Sequence, residues 1–342
     1  LKSNILKYTK QGLYCPQADV YIDPWGKVDK AVITHGHSDH ARLGPKKYLA
    51  HRITVPIIKQ RLGSGINVKA VEYGEVLSVN GVKISLHPAG HIPGSAQVRM
   101  EHKGEVAVVS GDYKLVNDGF TTPFEVVKCN TFVTESTFGL PIYKWKSQKE
   151  LSLDINKWWK RNKEKGFASV LCGYSLGKAQ RIIYNLDKKI GKIFTHGAVQ
   201  RVNELLINEG MPLPKTELVT KETPKTKFAG AMIIAPPSAM GTPWLNKFDP
   251  YSLGYASGWM NVRGAKRWQA IDIGFPVSDH ADWPDLNEAI KQTGAETVYV
   301  THGFTAVFVR WLREQGMDAY ELKTRFTGEQ AGDDLSSDEG GD

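Results

Sequence analysis

KAVITHGHSDHAR, residues 30–42, runs a short apolar segment straight into four metal-ligand side chains within six positions: His35, His37, Asp39 and His40. In an extended segment alternate side chains share a side, so His35 and His37 can reach one ion. Asp39 and His40 are adjacent, diverge from that pair, and suit a second ion close by. Asp39 is also placed to cap a following helix. A lone histidine would read as an ordinary structural residue, whereas four ligand types directly after an apolar strand read as a metal cluster. One such cluster cannot close two coordination shells. The remaining ligands are expected at strand ends among small residues, and the chain offers His91 in HPAGHIPGS, Asp112 in VVSGDYK, His280 in PVSDHADW and His302 in VYVTHGF. His51, His87, His102 and His196 lack that setting and read as structural.

Outward from this stretch, the first 140 or so residues carry short strands with turn punctuation, among them ADVYID, VKISLH, AQVRMEH, EVAVVS and TFVTES. Many short strands with few helices predict sheet packed on sheet. A basic helical stretch over 146–165 then leads into FASVLCGYSLGKAQRIIYNL, KIFTHGAVQRVNELLINEG and GAMIIAPPSAMGTPWL. Each is an apolar strand, a small-residue turn and a helix, the grammar of a parallel α/β unit. Lys146–Lys165 also holds Trp158 and Trp159, which read as the core side of an amphipathic helix. The pattern thus changes near residue 146 and again near 273, and the acidic tail at 329–342 reads as disordered.

The chain has 342 residues, 41% hydrophobic and 23% charged, which excludes disorder throughout. No apolar run is long enough to span a bilayer, and the opening LKSNILKYTK reads as lacking a signal peptide. Cys15, Cys129 and Cys172 are widely spaced and build neither a disulfide framework nor a Cys-x-x-Cys zinc site, so a reducing, cytoplasmic setting is expected. The net charge is +8, and the tail from Glu329 to Asp342 holds six acids and no Lys or Arg. The body before it therefore has 44 basic against 30 acidic residues, a balance that points to a polyanionic partner.

THGHSDHAR resembles the His-x-His-x-Asp-His signature of the metallo-β-lactamase superfamily. The later AGH, SGD, ESTFG, SDHAD and THG segments, in that order across residues 15–322, are similar to the β-CASP nuclease branch, most of all to its bacterial ligase-associated DNA exonucleases. The resemblance implies an αββα metallo-β-lactamase sandwich made of 1–145 and 273–328, with a β-CASP α/β domain inserted at 146–272. It implies two divalent metal ions, with His35, His37 and His91 on one, Asp39, His40 and His302 on the other, and Asp112 bridging. Glu135 and His280 fall on two further catalytic motifs. DNA, single-stranded or with a free end, is the implied partner, with functional association with a DNA ligase and no membrane. His302 matches the RNA-processing members, while SDHAD and Gly258-Trp259 look like the DNA-repair members.

Phosphodiester hydrolysis needs an activated water, a stabilised phosphorane charge and a protonated leaving oxygen. Two ions about 3.5–4 Å apart meet the first two needs. The histidine-rich donor set favours Zn²⁺, with Mn²⁺ as the alternative. Glu135 and His280 read as a couple: a carboxylate raises an imidazole pKa and fixes its tautomer, so the histidine can act as general acid. The other reading of Glu135 is a residue that orients a metal-binding histidine. The expected catalytic set is thus Asp39, Asp112, Glu135 and His280. Ser175 and Lys178, in a glycine-flanked turn, and Trp259, Arg263, Lys266 and Arg267 are the candidate nucleic-acid contacts. The activity implied by the resemblance is a DNA exonuclease, with 5′ to 3′ polarity as in the cross-link-repair relatives. The alternatives are an RNA-processing nuclease, a small-molecule hydrolase such as a thioesterase or lactonase, and a non-catalytic nucleic-acid-binding scaffold.

Overall fold

A computed structural model describes residues 1–262 and 271–322. Arg263, Lys266, Arg267 and the acidic tail at 329–342 lie outside the described residues. Strands β1 (Lys7–Thr9), β2 (Gly12–Cys15) and β3 (Val20–Ile22) form an antiparallel meander. β4 (Lys30–Val32), β5 (Lys47–His51) and β6 (Val68–Val71) extend this sheet in parallel, with α1 (Thr54–Leu62) as the β5–β6 crossover. The switch is physical: a short turn can only reverse the chain, and parallel pairing needs a longer crossover. A second sheet opens with β7 (Leu77–Val79), β8 (Val82–Pro88), β9 (Ala96–His102) and β10 (Glu105–Val109), all antiparallel, and β11 (Thr131–Ser136) joins β10 in parallel.

The chain next builds a separate compact unit, Trp145–Asp279. Its helix α2 (Gln148–Glu164) starts at a capping box between Ser147 and Glu150. It continues through β12 (Ala168–Cys172), α3 (Lys178–Asn185), β13 (Ile193–Thr195), α4 (Gly197–Asn208), β14 (Glu217–Leu218), β15 (Met232–Ala235), β16 (Tyr251–Ala256) and β17 (Ile273–Phe275). These strands make an all-parallel sheet in the order β14-β13-β15-β12-β16-β17. Apolar residues cover both faces, so β12 is buried at every position rather than alternating. Leu171 and Ile234 pack with Trp158, Trp159, Ile182 and Ile183 on one face. Val170, Ile233 and Tyr255 pack with Phe228 and Phe248 on the other. The tryptophans of the basic helix are thus core residues. β17 pairs with β16, so residues 273–279 go with this middle unit and not with the flanking domain as the sequence reading had it.

The first unit resumes at His280. α5 (Trp283–Thr293), β18 (Thr297–Gly303), α6 (Thr305–Glu314) and β19 (Asp318–Glu321) follow, and β18 and β19 add in parallel beyond β11. Period-two burial sets the layers. Ala107, Val109, Val133 and Tyr299 meet Leu13, Ile22 and Val32 between the two sheets. The alternate residues Val108, Phe132, Val298 and Val300 pack on Leu286, Ile290, Phe308 and Leu312 of the last two helices. On the far side, Ala31, Tyr48 and Ala50 pack on Ile58 of α1. Helix, sheet, sheet and helices follow in that order, which fits a metallo-β-lactamase type of fold. Among the described residues no helix is long and apolar enough to cross a membrane.

Candidate metal centre

The chain leaves β4 through Thr34 and His35, both buried. Residues 37–41 turn back on themselves, with the N–H groups of His40 and Ala41 both donating to the His37 carbonyl at 3.2 and 2.9 Å. No helix starts there, so Asp39 caps none; it stays beside His40, with its Oδ2 3.3 Å from His40 Nε2. The turn brings the His35 and His40 rings to a centroid separation of 4.0 Å. Asp23, at the end of β3, orders this cluster. Its carboxylate accepts from Thr34 N (2.8 Å), Thr34 Oγ1 (2.6 Å) and His40 Nδ1 (2.7 Å). His35 Nδ1 lies 3.1 Å from Thr34 Oγ1. Both rings therefore spend Nδ1 on the protein and present Nε2 as the ligating atom.

Two glycines let the other loops approach. Gly90 has φ +73°, and a Cβ there would lie 2.2 Å from the Lys114 carbonyl. Next to it, the N–H groups of His91 and Ile92 both donate to Ser95 Oγ, at 3.1 and 3.2 Å, which holds His91 inward. Gly111 has φ +57°, and a Cβ there would meet Thr34 Cβ at 2.7 Å, so only glycine lets Asp112 pass so close to the first cluster.

The predicted ligands converge. His35, His37, His91 and Asp112 bring one ligand atom each within 4.8 Å of one another; so do His35, Asp39 and His40, and so do His40, Asp112 and His302. His37 Nδ1 and His91 Nε2 stand 3.1 Å apart. Asp112 Oδ2 lies 3.5 Å from His35 Nε2 and 3.4 Å from His40 Nε2, and Oδ1 lies 3.8 Å from His302 Nδ1. Asp112 thus sits where two shells would share a ligand. The donor set fits a pair of cations on a further ground. Nε2 of His35, Nε2 of His40 and Oδ1 of Asp112 are buried with no hydrogen-bond partner, an arrangement that is costly unless an ion satisfies them.

Burial, with the charge of His40 second, pushes His35 well below the ordinary imidazole range, so it is held neutral, the ligating form. Burial also opposes charge on His40, but Asp39, Asp112 and Asp23 outweigh it and raise that pKa well above normal. Burial likewise opposes charge on Asp39 and Asp112, yet their histidine neighbours, His40 first, bring Asp39 to about 2 and hold Asp112 well below the carboxylate range. The carboxylates of this pocket are anions that need positive charge beside them.

At the end of β11, Glu135 is fully buried and both its oxygens are engaged. Oε1 accepts from Tyr113 N at 2.8 Å and Oε2 accepts from His280 Nδ1 at 2.8 Å. The His280 ring lies 4.6 Å from that of His91, and Asp112, Glu135 and His280 form a fourth close group. Just beyond, Asp282 caps α5 by accepting from Asp285 N at 3.0 Å, which explains the second acid of SDHAD.

The proposed nucleic-acid contacts fare differently. Ser175 and Lys178 are buried. The Lys178 ammonium lies 3.9 Å from Asp279 and over the Tyr174 ring, so it belongs to an internal ion pair and not to a solvent-facing phosphate site, a correction to its sequence reading. Trp259 is half-buried against an apolar cluster. Asp23 was missed by sequence reasoning. Its signal was available, an acid closing an apolar strand as Asp112 nearly does, but its partner His40 lies 17 residues away.

No protein-family model matches the chain. Across 91% of its length the chain is 27% identical to a protein of Opitutus terrae named "Probable DNA ligase", of which the match covers 30%. It is 26% identical to "RNase aCSPSF2" of Saccharolobus solfataricus, over 57% of this chain and 46% of that protein. It is 24% identical to "Probable RNase MJ4" of Methanocaldococcus jannaschii, over 86% of this chain and 87% of that one. The chain thus spans under half the length of the first two relatives. A crystal structure of a protein of unknown function from Enterococcus faecalis superposes with a TM-score of 0.58 at 11% identity, covering 88% of this chain and 80% of that one, a likeness of fold.

Proposed function

We propose that the chain is a two-metal phosphodiesterase of the β-CASP branch of the metallo-β-lactamase superfamily, and that it degrades DNA from a free end, 5′ to 3′. One observation carries the reading: Asp112 is shared by two histidine groups, with the Glu135–His280 couple beside it. Two divalent ions, zinc first and manganese as the alternative, would be held by His35, His37 and His91, by Asp39, His40 and His302, and by Asp112 between them. When bound they supply a lowered water pKa and a clamp for phosphate oxygens. The protein does the rest. Glu135 holds the His280 ring through Nδ1, which leaves Nε2 as the atom that would deliver a proton to the departing oxygen. Asp23 and Thr34 fix the rings of His40 and His35 before substrate arrives.

The extended match to a protein named as a DNA ligase, the basic body and the SDHAD segment support DNA as substrate and association with a ligase. RNA processing is the second reading, favoured by the relatives named as RNases and by a histidine at position 302. The test is hydrolysis of end-labelled single-stranded DNA and RNA of one sequence, alongside circular single-stranded DNA. Stepwise mononucleotide release from DNA supports the proposal. Cleavage of RNA alone supports the second reading, and cutting of the circle removes end dependence. Thioester or lactone turnover with both polymers intact would reject both.

A further inference from the structure

The parallel pairing of β11 with β18 is regular up to Glu135 opposite Thr301, and the next pair is Ser136 opposite Gly303. His302 is therefore the extra residue of a β-bulge, and its φ is +57°, a conformation uncommon outside glycine. Bulges re-aim side chains, and this one brings His302 to Asp112 and His40. Ser136 holds the bulge by two hydrogen bonds, and a third ties it to its own turn. Its Oγ donates to the His302 carbonyl at 2.5 Å, and its own carbonyl accepts from Phe304 N at 3.0 Å and Gly139 N at 2.9 Å. A Cβ on Gly303 would lie 2.3 Å from that carbonyl, so the close approach needs glycine.

We propose that Ser136 is a positioning residue for His302, and through it for only one of the two ions, the one assigned to Asp39, His40 and His302 with the shared Asp112. The bulge takes the His302 carbonyl out of regular pairing, and the buried Ser136 hydroxyl is its donor. Without that donor the backbone relaxes towards regular register and draws the imidazole away from Asp112. His35, His37 and His91 come from the end of β4 and the β8–β9 loop, which Ser136 does not hold. The effect is therefore selective for one of two ions. One strand end then serves both parts of the chemistry: Glu135 orients His280, and the next residue orients His302.

This inference rests on the two-metal reading, and the experiment separates the two. Apoprotein of the full chain is titrated with cobalt(II), followed by its visible absorption and by equilibrium dialysis, for wild type, Ser136→Ala and His302→Ala. Wild type is expected to take up two ions. Ser136→Ala is expected to bind the first ion as wild type does and the second about 10- to 100-fold more weakly, with the same band lost as in His302→Ala. Two ions bound with wild-type affinity by Ser136→Ala would overturn the inference and leave the two-metal reading standing. Equal weakening of both ions, with or without unfolding, would also overturn it, since it would assign the hydroxyl a general structural role. Fewer than two ions in wild type would defeat the two-metal reading and the inference together.

Discussion

His280 and His51 are both buried histidines beside acids, but burial does different work at each. At His280 the partner is the enclosed carboxylate of Glu135, whose other oxygen is held by Tyr113 N. The ring is engaged through Nδ1, and the proposed reading places it outside both metal shells. His280→Ala is therefore expected to retain both ions and to lose about 10²- to 10⁴-fold in turnover; metal content and initial rates on the same sample check this. His51 ends β5, stacks on Tyr73 at 3.7 Å and lies 3.8 Å from Glu72, which solvent screens. Burial, with Arg52 second, brings its pKa to about 4. The fold thus favours the neutral ring. The stability this confers is complete above the unfolded value near 6.5 and is lost as pH falls from there towards 4. His51→Phe, which keeps a stacked ring, is expected to lose about 2 kcal/mol less than wild type between pH 7 and pH 4.5, read from urea midpoints at the two pH values.

The elements that carry the site end in loops whose glycines are there for contact as much as for dihedral freedom. Gly90 and Gly104 make the comparison. Both have positive φ, but a Cβ at Gly104 would meet nothing, while one at Gly90 would strike the Lys114 carbonyl and press on Phe124 N. Gly104→Ala is expected to cost about 1 kcal/mol from backbone conformation alone. Gly90→Ala is expected to cost at least about 2 kcal/mol more and to weaken the ion proposed on His35, His37 and His91, since His91 follows directly. Urea denaturation and metal titration of the two variants measure both effects. At the start of α3, Lys178 is buried and pairs with Asp279 instead of facing solvent.

For the molecule as a whole, metal binding and folding stability are linked. An ion that binds the assembled site and not the unfolded chain raises stability by an amount set by its concentration over Kd, about 3 kcal/mol at a hundredfold excess. A chelator is therefore expected to abolish activity and lower the Tm of wild type. Asp112→Ala, which removes the shared ligand, is expected to melt at one temperature with or without chelator. Differential scanning calorimetry with and without chelator checks both. How much of this was legible in the chain follows from the range of each interaction. Ligand type, ligand spacing and strand alternation are local properties, so the His35–His40 cluster, the later ligand candidates, the sheet-on-sheet packing of the first unit and the core role of Trp158 and Trp159 could be read from the chain; the helices outside those sheets came only from the family resemblance. Four further features emerge only from the assembled sheets: Asp23 steadies His40, β17 belongs to the middle sheet, Lys178 is enclosed, and a bulge against Ser136 turns His302 inward. Those outcomes depend on which strands become neighbours and in what register, and hydrogen bonds between segments far apart in the chain settle that only when the sheets close.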